Sequence, residues 1–322
     1  YLIGYYNKNF SMELGDIYQT WGRGLILNQL DYQNLDFDTG ANGLGFKYSS
    51  SDFLINLIAG DLAISKSITS HANYDPRVPN YFINQFIYGA DISHNFPGFN
   101  YGLSILSVEE DSRDVHHSLS SFRFEKGYSA GDIYFSFARK DSEKKDFDEN
   151  IQGSGFYLSN TNFFETWSIT TAYRSMKMDI NNPNIRHNQS DNFGNALDIQ
   201  RSPTGYYLHT FRLLSRTSQE VNLNDEIGVE FQVSGPLDNN NFVAINVMKS
   251  SSAKEWYQSW NGDWSSKENS FFPSSSNSSY PFEEIYLEFS GYSKNGNIYY
   301  KTGIDFQNEV FNVLSNGPEN KS

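Results

Sequence analysis

Two adjacent histidines, His116 and His117, have the side chains best suited to acid–base or metal chemistry. They lie close in sequence to Asp111, Asp114 and Ser118, a set from which a metal site or a hydrolase could be built. Neighbouring residues of a strand point to opposite faces, so the two imidazoles cannot bind one ion together by simple strand geometry. The sequence contains no HExxH, no Gly-x-Ser-x-Gly elbow and no EF-hand loop. We therefore expect no catalytic residue, no metal and no cofactor, with a hydrolase as the third of three functional hypotheses.

A second polar group, Arg23, lies between two glycines in the stretch GDIYQTWGRGLILNQ, residues 15–29. A charge so placed must face water or be paired. If the segment is a strand, Trp21, Leu25 and Leu27 share a face with Arg23, so neither face is purely apolar. We predict that Arg23 points into a wet interior and pairs with carboxylates there, with a role in selectivity or ligand binding as the alternative. No Gly-Lys-Ser/Thr follows, so this is not a phosphate loop.

Further charged residues recur on the polar faces of segments that alternate apolar and polar side chains. In residues 284–289, for example, apolar positions alternate with Glu284, Tyr286 and Glu288. The residues that we predict to line a water-filled lumen are Arg23, Glu230, Glu284, Glu288, Lys301 and Asp305. Carboxylates outnumber basic groups in this set, so such a lumen would favour cations. Carboxylates that are paired or solvated inside a barrel plugged by loops remain the alternative.

An aromatic segment, EWYQSWNGDW, supplies the candidate binding residues Trp256, Tyr257, Trp260 and Trp264. Tryptophan faces can stack on sugar rings, which indicates a loop that binds a polysaccharide or a partner protein. Anchoring at a membrane interface explains the same residues without a ligand.

The elements that would position these side chains are strands, because apolar and polar residues alternate with period two. The alternation is clear in five segments, residues 99–105, 133–138, 227–234, 284–289 and 298–306. Turn signals such as Pro97-Gly98 and Asn295-Gly296 separate them. Long connections are predicted at about 64–80, 108–117, 140–151, 176–203 and 250–280.

Short and long connections alternate through residue 203, but the regularity weakens after residue 216. Medium connections at 217–225 and 235–241 would place segment 250–280 on the short-turn side. This predicts either a missed strand or a departure from a simple up-and-down order.

The composition favours strands and turns over helices. Of the 322 residues 16% are aromatic, only 38% are hydrophobic in total, and the remainder is rich in Asn, Ser, Asp and Gly. The net charge of −14 argues against nucleic acid as a partner. Cysteine is absent, which excludes disulfides and thiolate metal sites. No apolar run reaches eighteen residues, so an ordinary transmembrane helix is excluded while a transmembrane barrel stays open.

We predict an all-β fold, an antiparallel up-and-down transmembrane β-barrel of roughly 12–16 strands with long external loops. It would form a single domain over residues 1–322, in a bacterial outer membrane. A soluble β-sandwich or solenoid would show the same alternation. We prefer the barrel because aromatic residues crowd the strand ends, as in interfacial girdles, and no helical segment is available to cover a sheet face. We also expect a leader, and strands beyond the polar tail at 316–322, to lie outside this sequence.

Residues 15–46 resemble a family of bacterial outer-membrane β-barrel proteins of unassigned function, found in Bacteroidetes-like Gram-negative bacteria. The motifs that carry the resemblance are Gly15-Asp16-Ile17-Tyr18, Trp21-Gly22-Arg23-Gly24-Leu25-Ile26-Leu27, Leu35-Asp36-Phe37-Asp38 and Gly43-Leu44-Gly45-Phe46. The motif covers about a tenth of the chain, with the remainder alike only in its hairpin rhythm. The resemblance implies an outer-membrane barrel with this motif on a strand, and it implies no enzymatic activity or cofactor.

Our leading functional hypothesis is a passive channel or transport-related pore with a polar, net acidic lumen. The second is a surface-exposed barrel whose loops bind a polysaccharide or a partner protein. The expected partners are outer-membrane lipid together with a small solute, a polysaccharide or an envelope protein.

Overall fold

The structure is a computed structural model of the chain. It describes residues 1–32, 37–66, 81–145, 149–179, 181, 193–203, 221–269, 271–313 and 317–321.

Nearly all regular structure in the described residues is β-strand. In chain order the strands are β1 (Leu2–Tyr6), β2 (Phe10–Ile17), β3 (Asp31–Tyr32), β4 (Phe37–Asp38), β5 (Ala41–Ser49), β6 (Phe53–Lys66), β7 (Tyr81–Phe96), β8 (Phe99–Glu110), β9 (Val115–Tyr128), β10 (Gly131–Lys144), β11 (Glu149–Phe164), β12 (Trp167–Lys177), β13 (Glu226–Pro236), β14 (Asn241–Ser251), β15 (Lys254–Gln258), β16 (Trp264–Glu268), β17 (Phe282–Tyr292), β18 (Tyr299–Val313) and β19 (Gly317–Lys321). Two short 3-10 turns, Asp111–Arg113 and Asn277–Ser279, interrupt the connections. Among the described helices, none has the length and apolar character needed to cross a bilayer.

Fifteen of these strands form one sheet in which each strand is hydrogen-bonded to its neighbours in chain order. Neighbouring strands of the sheet are antiparallel from β1 to β9 and from β12 to β19, for example with Leu287 opposite Ile304 between β17 and β18. The strands β3 with β4 and β15 with β16 form separate two-stranded hairpins within long connections. The described residues therefore form the all-β, antiparallel up-and-down sheet that the sequence predicts, and its fifteen strands lie within the predicted number of 12–16.

The departure from a simple up-and-down order that the sequence allows after residue 216 is not seen in the described strands, which follow chain order. Strand β12 pairs directly with β13, from Ser168 opposite Ser234 to Met176 opposite Glu226. No strand of this sheet intervenes between them in the described chain, and residues 204–220 lie outside it. The connection between β12 and β13 spans residues 178–225 and is long. Segment 250–280 then lies at the same ends of the strands as the other long connections, and short and long connections continue to alternate. The polar tail is also a strand, because β19 pairs with β18.

The two faces of the sheet differ in polarity as the alternation predicts. On β17, Ile285 and Leu287 are 53% and 43% exposed, while Glu284 and Glu288 are buried. On β8, Leu103 and Ile105 are exposed while Ser104 is buried. We call the face with exposed apolar side chains the outward face and the opposite one the inward face. A water-soluble protein buries its apolar side chains, so this arrangement is inverted.

The chain divides into two compact units. Unit 1 contains residues 1–125, 136–155 and 178–204, and unit 2 contains residues 126–135, 156–177 and 205–322. Each is described below by itself.

Candidate functional site

The inward face of unit 2 carries most of the charged residues that the sequence places in a lumen. We call Glu226, Glu230, Glu284, Glu288 and Asp305 of β13, β17 and β18 the acidic wall. Strand register groups them, since Glu230 and Glu284 both lie opposite Met248, and Asp305 lies opposite Tyr286. The period-two alternation of each strand turns these side chains to the same face.

Three members of the acidic wall have amide, hydroxyl or ammonium partners. The hydroxyl of Tyr286 donates to Glu288 Oε2 at 2.8 Å, and Lys301 Nζ lies 2.8 Å from Glu288 Oε1. Gln307 donates to Glu284 at 2.9 Å, and Asn246 donates to Glu230 at 2.7 Å. A buried carboxylate needs such partners to remain ionised. Glu288 and Lys301 thus form a pair, whereas Glu284 and Glu230 have only neutral partners among these contacts.

A fully buried arginine, Arg174, was missed by the sequence reasoning. Its Nε donates to Glu226 Oε1 at 2.6 Å, and its guanidinium lies across Gly228, where a Cβ would approach within 2.6 Å of Cζ. Arg174 occupies an inward position of β12 because it lies two residues before buried Met176. That alternation in SITTAYRSM could have identified it. Among the described inward residues of unit 2, Arg174 and Lys301 carry positive charge, and the carboxylates outnumber these two.

In unit 1 the segment around Arg23 is a loop, so the prediction of a strand is wrong. Gly22 and Gly24 have φ of +59° and +91°, values that favour glycine and differ from those of a regular β-strand. The Gly24 N–H donates to the Trp21 carbonyl at 3.0 Å, and the Trp21 N–H donates to the Leu27 carbonyl at 3.0 Å. The chain therefore turns sharply at the glycines.

This loop, residues 18–30, packs against a second loop, residues 193–203, and we call the two the inner loops. The Asn28 N–H donates to Ile199 O at 2.7 Å, and the Arg201 N–H donates to Gly24 O at 3.0 Å. Their buried apolar side chains are Trp21, Leu25, Ile26, Leu27, Phe193, Leu197 and Ile199. A Cβ on Gly89, an inward position of β7, would lie 2.9 Å from the Trp21 ring. The inner loops thus occupy the inward side of unit 1.

Arg23 itself lies at the edge of the inner loops. Its guanidinium is 3.2 Å from Glu125 on β9, and the two side chains are 33% and 46% exposed. The predicted pairing with an inward carboxylate is therefore present in a partly open position.

A second arginine of β9, Arg123, anchors a polar network that the sequence did not reveal. Its Nη1 lies 2.6 Å from Asp91, which is almost fully buried. Ser104 and Asn56 also donate to Asp91, at 2.6 and 3.1 Å. A second guanidinium nitrogen of Arg123 also reaches Asp91, at 3.1 Å, so four donors from the three strands β6, β8 and β9 satisfy one carboxylate.

Lys140, which is fully buried on β10, binds the inner loop at 193–203 to the sheet. Its ammonium donates to the carbonyls of Gly194 and Asn195, the latter at 2.6 Å. Next to it in the sheet order, His117 Nδ1 lies 2.8 Å from Ser142 Oγ in the interior. His116 Nε2 instead contacts Ser107 Oγ at 2.7 Å on the outward face. The adjacent histidines therefore do not meet, and within the described residues no cluster of three or more His, Asp or Glu side chains could hold a metal.

A cavity of about 670 Å³ in unit 1 concentrates negative charge. Its carboxylates are Asp16, Asp38, Asp61, Glu109 and Asp111. The Tyr18 hydroxyl donates to Asp38 at 3.0 Å. Burial, together with this hydrogen bond and the neighbouring carboxylates, raises the pKa of Tyr18 to about 12. A smaller cavity of about 230 Å³ borders Trp21, Glu13 and Lys47.

The four aromatic residues proposed for ligand binding are not presented on one surface. Trp256 is buried in the β15–β16 hairpin and donates to Asp225 at 2.9 Å, with the Trp264 ring against it at 6.4 Å. Trp260 is at the hairpin tip and fully exposed, whereas Tyr257 is about half exposed. The hairpin explains their spacing, which is not helical.

Comparison with known proteins gives similarity of fold at very low sequence identity. No protein-family model and no curated protein matches the sequence. Solved structures that resemble the chain include OccK10 (OpdN) of Pseudomonas aeruginosa, with 10% identity and a TM-score of 0.49 over 96% of this chain and 77% of that one. Acinetobacter baumannii OccAB4 has 8% identity and a TM-score of 0.48 over 97% and 70% of the two chains. The outer membrane protein OprD from Pseudomonas aeruginosa has 10% identity and a TM-score of 0.44 over 97% and 70%. The resemblance to a Bacteroidetes family and its motif stays a prediction.

Proposed function

We propose that the chain is an integral outer-membrane β-barrel, one domain over residues 1–322, that acts as a passive channel with a polar, net acidic lumen. The observation that carries the proposal is the inverted polarity of the sheet. Apolar side chains are exposed on the outward face, and charged side chains are buried on the inward one.

The outward face has the character of a lipid-facing surface. In unit 2, four side chains in one row of neighbouring strands, Phe231, Val247, Ile285 and Phe306, are 43%, 40%, 53% and 68% exposed. Exposure of this continuous apolar row to water would be energetically unfavourable, whereas in a bilayer the row contacts acyl chains. Unit 1 shows the same in the row Ile92, Leu103 and Phe122.

The lumen is proposed to favour cations because its described charges are mainly negative. Among the described inward residues of unit 2, the acidic wall exceeds Arg174 and Lys301 in number. Fixed charges in a narrow aqueous path attract the opposite ion and raise its local concentration. The inner loops narrow the passage within unit 1.

Binding of a polysaccharide by the Trp256–Trp264 segment has less support. Trp256 is used internally to bind Asp225, and Trp260 alone is fully exposed. A stacking platform needs several ring faces on one surface.

The channel is tested by reversal potentials in planar bilayers with a salt gradient. We expect the native protein to prefer cations and the double variant Glu284→Gln/Glu288→Gln to lose part of that preference. The matched control is Glu283→Gln, which lies on the same strand but on the outward face beside Lys249. Anion preference of the native protein, or the absence of conductance from folded protein, would refute the proposal.

Membrane placement has its own test in solubility. We expect the folded protein to require detergent. Monodisperse folded protein in plain buffer would contradict the lipid-facing assignment.

A further inference from the structure

The connection between β16 and β17 lies against the outward face of unit 2, and we call its residues 271–280 the outer strap. The Ser274 N–H donates to Ser251 Oγ at 2.9 Å, and the Ser252 N–H donates to the Ser279 carbonyl at 2.7 Å. The ammonium of Lys249 reaches Ser275 Oγ. The strap is therefore fixed to the end of β14 by several hydrogen bonds.

The register shows which face the strap covers. Ile227 lies four residues from exposed Phe231 on β13 and so belongs to the outward face. Nevertheless Ile227 and its partner Ser251 are each only 2% exposed. The hydrogen bond from Ser274 to Ser251 places the strap at the residue that pairs with Ile227, on this same outward face.

The first residues of the strap continue a line of aromatic rings on the outward face. The Phe271 ring stacks on Tyr173 of β12 with centroids 4.4 Å apart and planes 7° apart, and the Tyr173 hydroxyl donates to the Phe271 carbonyl at 2.9 Å. Tyr173 contacts Phe156 of β11 at 5.7 Å, which contacts Phe135 of β10 at 5.3 Å. The strap is thus built onto the same surface that we assign to lipid.

The rings of the strap are exposed although its backbone is held in place. Phe271 and Phe272 are 65% and 62% exposed and contact each other edge to face at 5.5 Å. The residues that follow are mostly serines, SSSNSS at 274–279. The strap therefore has an apolar leading end over the apolar surface and a polar remainder, which is the distribution required at a boundary between acyl chains and headgroups.

We propose that the outer strap is an interfacial anchor that places Phe271 and Phe272 in the outer leaflet of the bilayer, at the boundary of acyl chains and headgroups. The inference rests on the proposed membrane placement. Its occupant is bilayer lipid, because the exposed rings are continuous with the outward apolar face and the Phe271 carbonyl is already hydrogen-bonded by Tyr173. A backbone carbonyl can enter the edge of a bilayer only when it is satisfied in this way.

Spin labels at single cysteines test the anchor, because the native chain contains no cysteine that would react. The variants Phe272→Cys, Ile304→Cys and Trp260→Cys are each labelled and folded into liposomes. Ile304 reports the outward face of β18, and Trp260 reports the exposed hairpin tip. Accessibility to oxygen, which concentrates in lipid, is compared with accessibility to a water-soluble nickel complex.

We expect the label at 272 to be accessible to oxygen, as the label at 304 is, and to be less accessible to the nickel complex than the label at 260. A label at 272 that matches position 260 while 304 remains lipid-accessible would overturn the anchor and leave the channel intact. A label at 304 that is itself water-accessible in folded protein would overturn the membrane placement, and the proposed function with it. Phe272 is 62% exposed, and heat-modified mobility in gels should confirm native folding of this variant.

Discussion

The substitution Lys140→Met should release the inner loop at 193–203 and increase conductance. Lys140 is fully buried, and its ammonium binds the carbonyls of Gly194 and Asn195. Methionine has a similar length and can fill the same space but offers no donor, so both carbonyls lose their partner.

The size of the effect follows from these two bonds. Hydrogen bonds from a charged donor contribute about 1.5–3 kcal/mol each, and removal of a buried ammonium recovers several kcal/mol of desolvation cost. A net loss of about 2 kcal/mol would shift the ratio of docked to released loop by roughly 30-fold. The docked state keeps the bond from Asn28 to Ile199 and the burial of Phe193, so we expect more frequent opening rather than permanent release.

Single-channel recording and limited proteolysis measure this prediction. The variant should show larger or more frequent open levels and faster cleavage within 181–203. The control is Arg139→Met, the neighbouring residue on the outward side of β10, whose partner is Asp141. Unchanged conductance and unchanged cleavage in a folded Lys140→Met protein would refute the idea that this ammonium retains the loop.

Three further predictions concern single contacts. Arg174→Met should destabilise the protein by about 3–5 kcal/mol in urea unfolding, because Glu226 stays buried and loses this cationic partner. The added change Glu226→Gln should recover part of the loss, and an unaltered midpoint for Arg174→Met would contradict the buried pair. Trp256→Phe should cost about 1–3 kcal/mol through the lost bond to Asp225 and should speed proteolysis of the β15–β16 hairpin, so equal cleavage rates would count against that contact. Tyr18 should stay protonated at pH 11, because its pKa is raised to about 12. The raised pKa contributes fully to the stability of the folded state below pH 10, and this contribution is lost as the pH rises from 10 to 12. Difference absorbance of native and Tyr18→Phe protein at high pH measures this, and ionisation near pH 10 would disprove it.

The acidic wall shows what alternation predicts well. On β17 the placement of Glu284 and Glu288 opposite Ile285 and Leu287 follows from period two alone, and the structure agrees. The same rule does not predict the burial of Ile227, an outward position whose partner Ser251 is bonded by a strap that is distant in sequence.

The segment at Arg23 shows where strand logic failed. Neither face was purely apolar when it was treated as a strand, and that inconsistency was itself the signal of a loop. Two glycines with positive φ allow the turn, the buried Trp21 ring lies against Gly89, and the backbone at Gly24 and Asn28 bonds to the 193–203 loop. Such tertiary partners cannot be read from local periodicity.

The strict chain order of the fifteen-stranded sheet has a consequence for how such a protein can change in size. Since every strand bonds only to the strands before and after it, a pair of adjacent strands with its turn is a removable module. Loss or duplication of one module leaves the other pairings and the two faces unchanged, while it alters the circumference that a closed sheet of this kind can have. In the proposed channel, the width of the pore can therefore evolve in steps of one hairpin, independently of the side chains proposed to select ions.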